Sequence, residues 1–200
     1  MPKLKLVLIG DTNSIEIGSN NILIDHEKQT NMEQFSSKLY DLCGQHICVI
    51  NMLGLPNADE IPSIQAVHAF ILLLPNGLHS SQYRSGIQWL EKGFGKGNLS
   101  YVMTVVTHKS DESCESALAD LKADSSFSEK RYHTCTRSMM DENQIIALLE
   151  KIHVMVSENN PQCYNGQIFD NVEEQKEHLD PQNHKEERVT TGKILVWTEL

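Results

Sequence analysis

Residues 4–23 read LKLVLIGDTNSIEIGSNNIL, an apolar run that ends in a glycine and continues into a polar loop. The run predicts a buried β-strand, and the residues after it predict a loop that leads into a helix. Proteins commonly bind phosphate at such a loop, because backbone N–H groups at a helix N-terminus attract anions. This stretch therefore has to be compared with the phosphate-binding loops of nucleotide-binding proteins.

Most of the defining residues of a phosphate-binding loop are missing. In the pattern G-x-x-x-x-G-K-[ST], the first glycine is Gly10, but the later positions hold Ile15, Glu16 and Ile17. Ile15 adds bulk where the backbone must approach phosphate, and Glu16 would repel it by about 4 kcal/mol per unit charge at ~4 Å and an effective dielectric of about 20. Ile17 lacks the hydroxyl that would hold Mg²⁺. The alternative interpretation is an ordinary buried turn between a strand and a helix.

The composition restricts the classes of protein. The chain has 200 residues, which suits one domain and a tail, and its formal net charge of -10 argues against binding to nucleic acid or anionic lipid. The apolar runs are too short to span a bilayer, and the N-terminus has no signal-peptide pattern. Five cysteines without a C-x-x-C pair favour reduced thiols. We therefore expect a cytoplasmic protein with no membrane span and no nucleic-acid partner.

Apolar runs and amphipathic stripes alternate along the chain. Buried strands are predicted at 46–50, 67–74, 101–107 and 131–135, with a weaker strand candidate at 35–40. Helices are predicted at 80–94 with Gly93 as the C-cap, at about 112–122 and at 141–157, whereas two prolines at 56–65 argue against a long helix there. This alternation predicts an α/β fold, with a mainly parallel sheet and helices on both faces.

The helix at 141–157 closes the predicted domain. From Asn159 the sequence becomes acidic and polar, with Asn-Pro and Asp-Pro steps and many glutamates. Such a composition is typical of a linker or tail, so we expect a domain at 1–158 and a polar acidic tail at 159–200. Residues 192–197, GKILVW, form a late apolar patch. It is either an edge strand that docks on the domain or the start of a further element.

Several short motifs follow one another in a specific order. They are NMLGL at 51–55, HAF at 68–70, Y-x-M-x-x-x-T at 101–107, HKSD at 108–111, RYH at 131–133 and LLEKIHVMVSEN at 148–159. In this order they resemble the GTPase domain of the immunity-associated nucleotide-binding proteins, the GTPase IMAP family, over roughly residues 4–165. The resemblance implies a Ras-like P-loop GTPase fold.

The differences from that family fall on the positions that bind the nucleotide and its Mg²⁺ in the family. Asn51 replaces the Asp of the family's D-T-P-G-L, His108 replaces the Asn of N-K-x-D, and Cys135-Thr136 stand where a base-contacting Asn is expected. The segment between 55 and 67 is shorter than the family's second switch region, and 25–33 contains no persuasive Thr for Mg²⁺. The resemblance therefore implies a degenerate G domain.

The residues that remain predict a vestigial GTP site, made of Gly10, Asp11, Ser14, Gly54, His108, Lys109 and Asp111. We expect a pseudo-GTPase without catalytic residues: a non-hydrolysing interaction module that binds GTP or GDP weakly or not at all, holds no Mg²⁺ and contacts other GTPase IMAP-like proteins. The alternative is a genuine guanine-nucleotide-binding protein with slow or no hydrolysis. The retained Gly10, Gly54, Lys109 and Asp111 favour that alternative.

A third hypothesis is an unrelated enzyme that uses the vacated cleft. Its candidate catalytic or metal-binding residues would be His46, His68, His108, His133 and Cys135. None of them has diagnostic spacing, since the chain has no H-E-x-x-H and no paired cysteine ligands. A single histidine at a strand end is more often structural than catalytic, so this hypothesis ranks last.

Asp111 has two interpretations. In a functioning relative its carboxylate would accept hydrogen bonds from guanine and select GTP over ATP. Asp111 also precedes the helix predicted to begin near Glu112, where Asp is a favoured N-cap. We expect the capping role.

Overall fold

The computed structural model describes residues 4–16, 21–24 and 34–165. Its strands are β1 (Leu4–Gly10), β2 (Ser37–Leu42), β3 (Gln45–Leu53), β4 (Ala69–Pro75), β5 (Val102–His108) and β6 (Tyr132–Thr136). Its α-helices are α1 (His79–Phe94), α2 (Glu115–Leu121) and α3 (Glu142–Glu158). Each strand predicted from the sequence is present, with bounds that differ by a few residues.

The six strands form one sheet in the order β2-β3-β1-β4-β5-β6. Only β2 runs antiparallel to its neighbour, and the other pairs are parallel. In β1, Leu6 and Leu8 belong to the core on one face of the sheet, and Val7 and Ile9 belong to the core on the other. The part of a strand that is buried on both faces has to be apolar, which explains the apolar run at residues 6–9 of β1.

Helices cover both faces, which confirms the predicted α/β architecture. α3 packs on the face of Leu6 and Leu8, and α1 and α2 pack on the face of Val7. α3 begins as predicted, because the Asp141 carboxylate accepts a hydrogen bond from the Asn143 N–H at 2.9 Å and caps the first turn.

The end of α1 differs from the prediction. The C-cap is Gly95, with φ of 81°, whereas Gly93 lies inside the helix and is buried. A Cβ on Gly93 would come within 2.5 Å of Ile61 Cδ1. Gly93 therefore packs closely against the segment that follows β3. In that segment a 3₁₀ turn at Ala58–Glu60 is present instead of a long helix, as the two prolines predicted.

The helix predicted directly after β1 is absent from the described residues of that region. A 3₁₀ turn at Thr12–Ser14 follows Gly10, and residues 15–16 and 21–24 are not helical. Ile17, which corresponds to the Mg²⁺-binding hydroxyl position, lies outside the described residues. So does the predicted first switch segment at 25–33.

The first residues of the predicted tail pack against the domain. Tyr164 is buried, pairs with Val67 in an antiparallel bridge, and its hydroxyl donates to the Phe94 carbonyl at 2.7 Å. Residues 166–200, including the apolar patch at 192–197, lie outside the described part of the chain, and the division at 158 stays a prediction. Within residues 4–16, 21–24 and 34–165, no helix has the length and apolarity needed to cross a membrane.

Candidate functional site

The predicted site residues lie where the parallel strands end. Gly10 ends β1, Gly54 follows β3, and His108 ends β5. Ligands of open α/β sheets bind at this edge, because loops from neighbouring strands converge there. The structure joins the two glycines directly, since the Gly54 N–H donates to the Gly10 carbonyl at 2.8 Å.

Gly10 is required by a close backbone approach. Its φ is 125°, and a Cβ at this position would lie 2.1 Å from the Leu73 carbonyl oxygen in β4. Only glycine adopts this conformation without strain. The packing of β1 against β4 is therefore enough to explain Gly10, the one glycine that the chain shares with the phosphate-loop pattern, without a bound phosphate.

The loop after Gly10 is a tight turn held by its own residues. The Asp11 carboxylate accepts from the Asn13 N–H at 2.7 Å, and the Asp11 carbonyl accepts from the Ser14 N–H at 3.0 Å. Ser14 is fully buried, and its hydroxyl donates to the Leu73 carbonyl at 3.1 Å. Asp11 and Ser14 thus close the loop onto β4.

Ile15 and Glu16 bind this loop to the rest of the domain. Ile15 is 5% exposed and belongs to the core cluster that α3 covers. The Glu16 N–H donates to the Arg137 carbonyl at 2.8 Å, and the Glu16 side chain is exposed. The position of the second phosphate-loop glycine is therefore an apolar anchor.

The loop after β6 is bonded to the segment that follows Ile15. The Arg137 carbonyl accepts from Glu16, and the Met139 carbonyl accepts from the Ile22 N–H at 3.0 Å. Asn21 is buried and connects this segment internally, with Nδ2 donating to the Glu16 carbonyl at 3.3 Å. The resemblance placed base contacts at the end of β6, and the N–H groups of Glu16 and Ile22 occupy backbone acceptors in the loop that follows β6.

Residues 109–111 form an exposed turn after β5, and the predicted capping role of Asp111 is wrong. α2 begins at Glu115 with Cys114 as its N-cap, so Asp111 is too far upstream to cap it. Glu112 closes the turn instead, because its carboxylate accepts from the Lys109 N–H at 3.1 Å. That hydrogen bond also lowers the pKa of Glu112.

Asn51 has a structural role where the family has Asp. It is 4% exposed, its Oδ1 accepts from the Leu53 N–H at 3.1 Å, and its carbonyl accepts from the Phe35 N–H at 2.7 Å. The amide thus shapes the end of β3 and holds the entry to β2.

Sequence reasoning missed two residues that connect these loops. The buried Thr107 hydroxyl donates to the Ser14 carbonyl and so joins the end of β5 to the loop after β1. Gln82 of α1 reaches the Asp11 carboxylate, with Nε2 at 3.5 Å from Oδ2. In the sequence, Thr107 stood out only as the last residue of the Y-x-M-x-x-x-T motif, and Gln82 only as part of the polar face of a helix.

The residues of the enzyme hypothesis do not form one site. His46 contacts Asp41, His68 contacts Cys163, and the His133 ring donates to a backbone carbonyl of α3 at 2.9 Å. Burial raises the pKa of the Cys135 thiol to about 12, so it is a poor nucleophile. No group of three potential metal ligands occurs among the described residues.

The comparisons with known proteins concern the fold. No family model matches the chain. The structure is similar to that of the Arl6 BBS3 small GTPase from Trypanosoma brucei, solved with a bound nucleotide analogue, GppNp. The TM-score is 0.50 at 13% sequence identity, over 77% of this chain and 99% of that one. The chain therefore has the α/β fold of a small GTPase domain.

Proposed function

We propose that this chain is a degenerate G domain of the GTPase IMAP type, which keeps the fold, does not hydrolyse GTP and acts as a protein-interaction module in the cytoplasm. One observation carries the proposal: the loop after β1 is bonded into the domain at the place where a phosphate-binding loop would surround its ligand. The vestigial site of Gly10, Asp11, Ser14, Gly54, His108, Lys109 and Asp111 is the region concerned.

The donors in this loop do not fit a phosphate group. A phosphate needs several free backbone N–H groups that point toward it. The N–H groups of Asn13, Ser14 and Glu16 instead donate to Asp11 and Arg137 within the chain. Breaking those hydrogen bonds would cost part of any binding energy, and no lysine follows to neutralise the phosphates.

The anchoring of Ile15 adds a second cost. Opening the loop far enough to admit a nucleotide would pull a side chain that is 5% exposed out of the core. Fully burying such a side chain is worth about 1.5–3 kcal/mol, and every 1.4 kcal/mol is a tenfold change in affinity. The free energy lost by exposing Ile15 would alone weaken nucleotide binding by roughly tenfold to a hundredfold.

Calorimetry of GTP and GDP, each with and without Mg²⁺, tests the proposal. We expect no binding tighter than about 1 mM, or about 4 kcal/mol, under any condition. A G domain with an intact loop, measured in parallel, supplies the positive control. Micromolar binding that depends on Mg²⁺ would overturn the proposal.

The proposed partners are other GTPase IMAP-like proteins, whose domains share this architecture. Sedimentation of the chain mixed with a GTPase IMAP domain, loaded in turn with GDP and with a non-hydrolysable GTP analogue, measures the contact. We expect a complex with at least one loaded form. Separate boundaries in both mixtures at high concentration would argue against the interaction.

Guanine-nucleotide binding is the second candidate function, and one observation favours it. Asp111 is exposed and caps no helix, so a structural role does not explain it. Under this alternative, Asp111→Ala abolishes a preference for GDP over ADP and leaves the melting temperature unchanged. The control is Asp141→Ala, which removes a true N-cap and costs about 1 kcal/mol of stability. Our primary proposal predicts no preference in the parent chain.

A further inference from the structure

A small cleft lies at the amino-terminal ends of β5 and β6, at the opposite edge of the sheet from the vestigial site. Val102 begins β5 and Arg131 directly precedes β6, and both line the cleft. Its volume is about 10 Å³, which admits one water-sized group. Four residues that carry hydroxyl groups also line it: Tyr83, Thr104, Ser126 and Ser128.

Arg131 brings a positive charge without a counter-ion to this cleft. The residue is half-buried, and no carboxylate in the described part of the chain forms an ion pair with it. The carboxylates of the same loop pair elsewhere, since Glu129 contacts Lys122 at 2.7 Å. Asp124 likewise contacts Arg84 at 3.5 Å. A partly buried cation without a partner is costly, so a bound anion would stabilise it.

Two of the four hydroxyl groups remain available as donors. The Ser126 hydroxyl donates to Asp124 at 2.7 Å and lies 3.1 Å from the Tyr83 hydroxyl, so both of these hydroxyls are engaged. The hydroxyls of Ser128 and Thr104 make no hydrogen bond with the residues that the structure describes. Thr104 is 3% exposed and Ser128 is half-buried. Thr104 therefore lies at the bottom of the cleft and Ser128 nearer its mouth.

The loop that carries Ser128 and Arg131 is held in place. The Arg131 N–H donates to the Ser128 carbonyl at 3.0 Å, and the Phe127 ring packs edge-on against Tyr83 and Tyr132. Burial raises the pKa of the Tyr83 hydroxyl, and the charge of Arg131 opposes that rise. The guanidinium is thus within electrostatic reach of the cleft wall, and a cation and two hydroxyl donors converge on one cleft.

We propose that this cleft binds a tetrahedral oxyanion, either inorganic phosphate or a phosphate monoester. One oxygen enters the cleft toward Thr104, and the other oxygens stay at its mouth, where they accept from Ser128 and Arg131. A guanidinium suits this ligand because it donates two parallel hydrogen bonds to an oxyanion. A tetrahedral anion can also accept from β5 and from the loop at once, because its oxygens point in more directions than those of a carboxylate.

A titration of the ¹⁵N-labelled full chain with sodium phosphate at constant ionic strength tests this inference, which stands whether or not nucleotide binds at the other edge. We expect the Arg131 Nε–H and Ser128 N–H signals to shift to saturation with a Kd on the order of 1 mM, because the net charge of -10 opposes tighter binding. Arg131→Gln should abolish the saturation. Lys130→Gln is the matched control: it removes the same charge at an exposed neighbouring position and should change the Kd by less than about threefold.

Separate titrations with O-phosphoserine and acetate identify the ligand chemistry. Saturation by phosphate or by O-phosphoserine supports the inference, and the ratio of the two Kd values distinguishes the free ion from a monoester. Equal binding of acetate and phosphate would overturn it, as would no saturation in the parent chain below about 10 mM.

The variants supply two further ways to refute the site. Equal weakening in Arg131→Gln and Lys130→Gln would overturn the inference, because it would assign the shifts to general charge. Ser128→Ala covers the case in which Arg131→Gln does not fold, since it removes only one hydroxyl. It should weaken phosphate binding by about threefold or more, and unchanged binding would overturn the inference.

Discussion

Replacing Ile15 by Ala tests whether the loop after β1 is part of the core. Ile→Ala removes three carbon groups, and at about 0.8 kcal/mol each the transfer term is about 2.4 kcal/mol. The cavity left between the loop and α3 adds to this, so we expect a loss of about 3 kcal/mol. In a chain of this size that loss lowers the melting temperature by roughly 6–12 °C.

Urea unfolding followed by circular dichroism measures the change. Glu16→Ala is the matched control, because its side chain is exposed and we expect less than about 0.5 kcal/mol of change. A loss below about 1 kcal/mol for Ile15→Ala would refute the reasoning. The side chain would then be dispensable, as expected of a loop that opens to admit a ligand.

Two further predictions concern stability. Gly10→Ala should cost about 3 kcal/mol or more in urea unfolding, because its Cβ would lie 2.1 Å from a carbonyl oxygen at a φ of 125°; a loss below about 1 kcal/mol would contradict this. Burial lowers the pKa values of His68 and His133 below the unfolded value of about 6.5, so the unfolded chain binds more protons. Stability should therefore be full above about pH 6.5 and fall below it, less steeply in His68→Gln and His133→Gln; equal stability at pH 7.5 and 5.5 would contradict this.

The sheet could be predicted from the sequence because its central strands are buried on both faces. β4 is apolar along its whole length, and β1 is apolar apart from Lys5; short continuous apolar runs of this kind, bounded by turn residues, are typical of buried strands. α3 was predictable for a related reason, since an apolar stripe follows the capping residue Asp141. These apolar runs and stripes are local features of the sequence, so the strands and the helix could be predicted without knowledge of the tertiary contacts.

The site was less predictable because its contacts join distant parts of the chain. A helix after β1 was expected from the phosphate-loop pattern, but Asp11 captures the following N–H groups in a 3₁₀ turn. Asp111 was expected to cap α2, but Glu112 closes the turn first. The hydrogen bond from the Glu16 N–H to the Arg137 carbonyl joins residues that are far apart in the sequence. No local sequence pattern predicts such a contact.

A titration of the ¹⁵N-labelled chain with GDP and GTP, with and without Mg²⁺, tests the central claim most directly. The backbone N–H signals of Asn13, Ser14 and Glu16 report on whether the loop donates to the chain or to a ligand. The account predicts that none of these signals shows a saturable shift below about 1 mM nucleotide. Saturable shifts of all three signals in the micromolar range would contradict it.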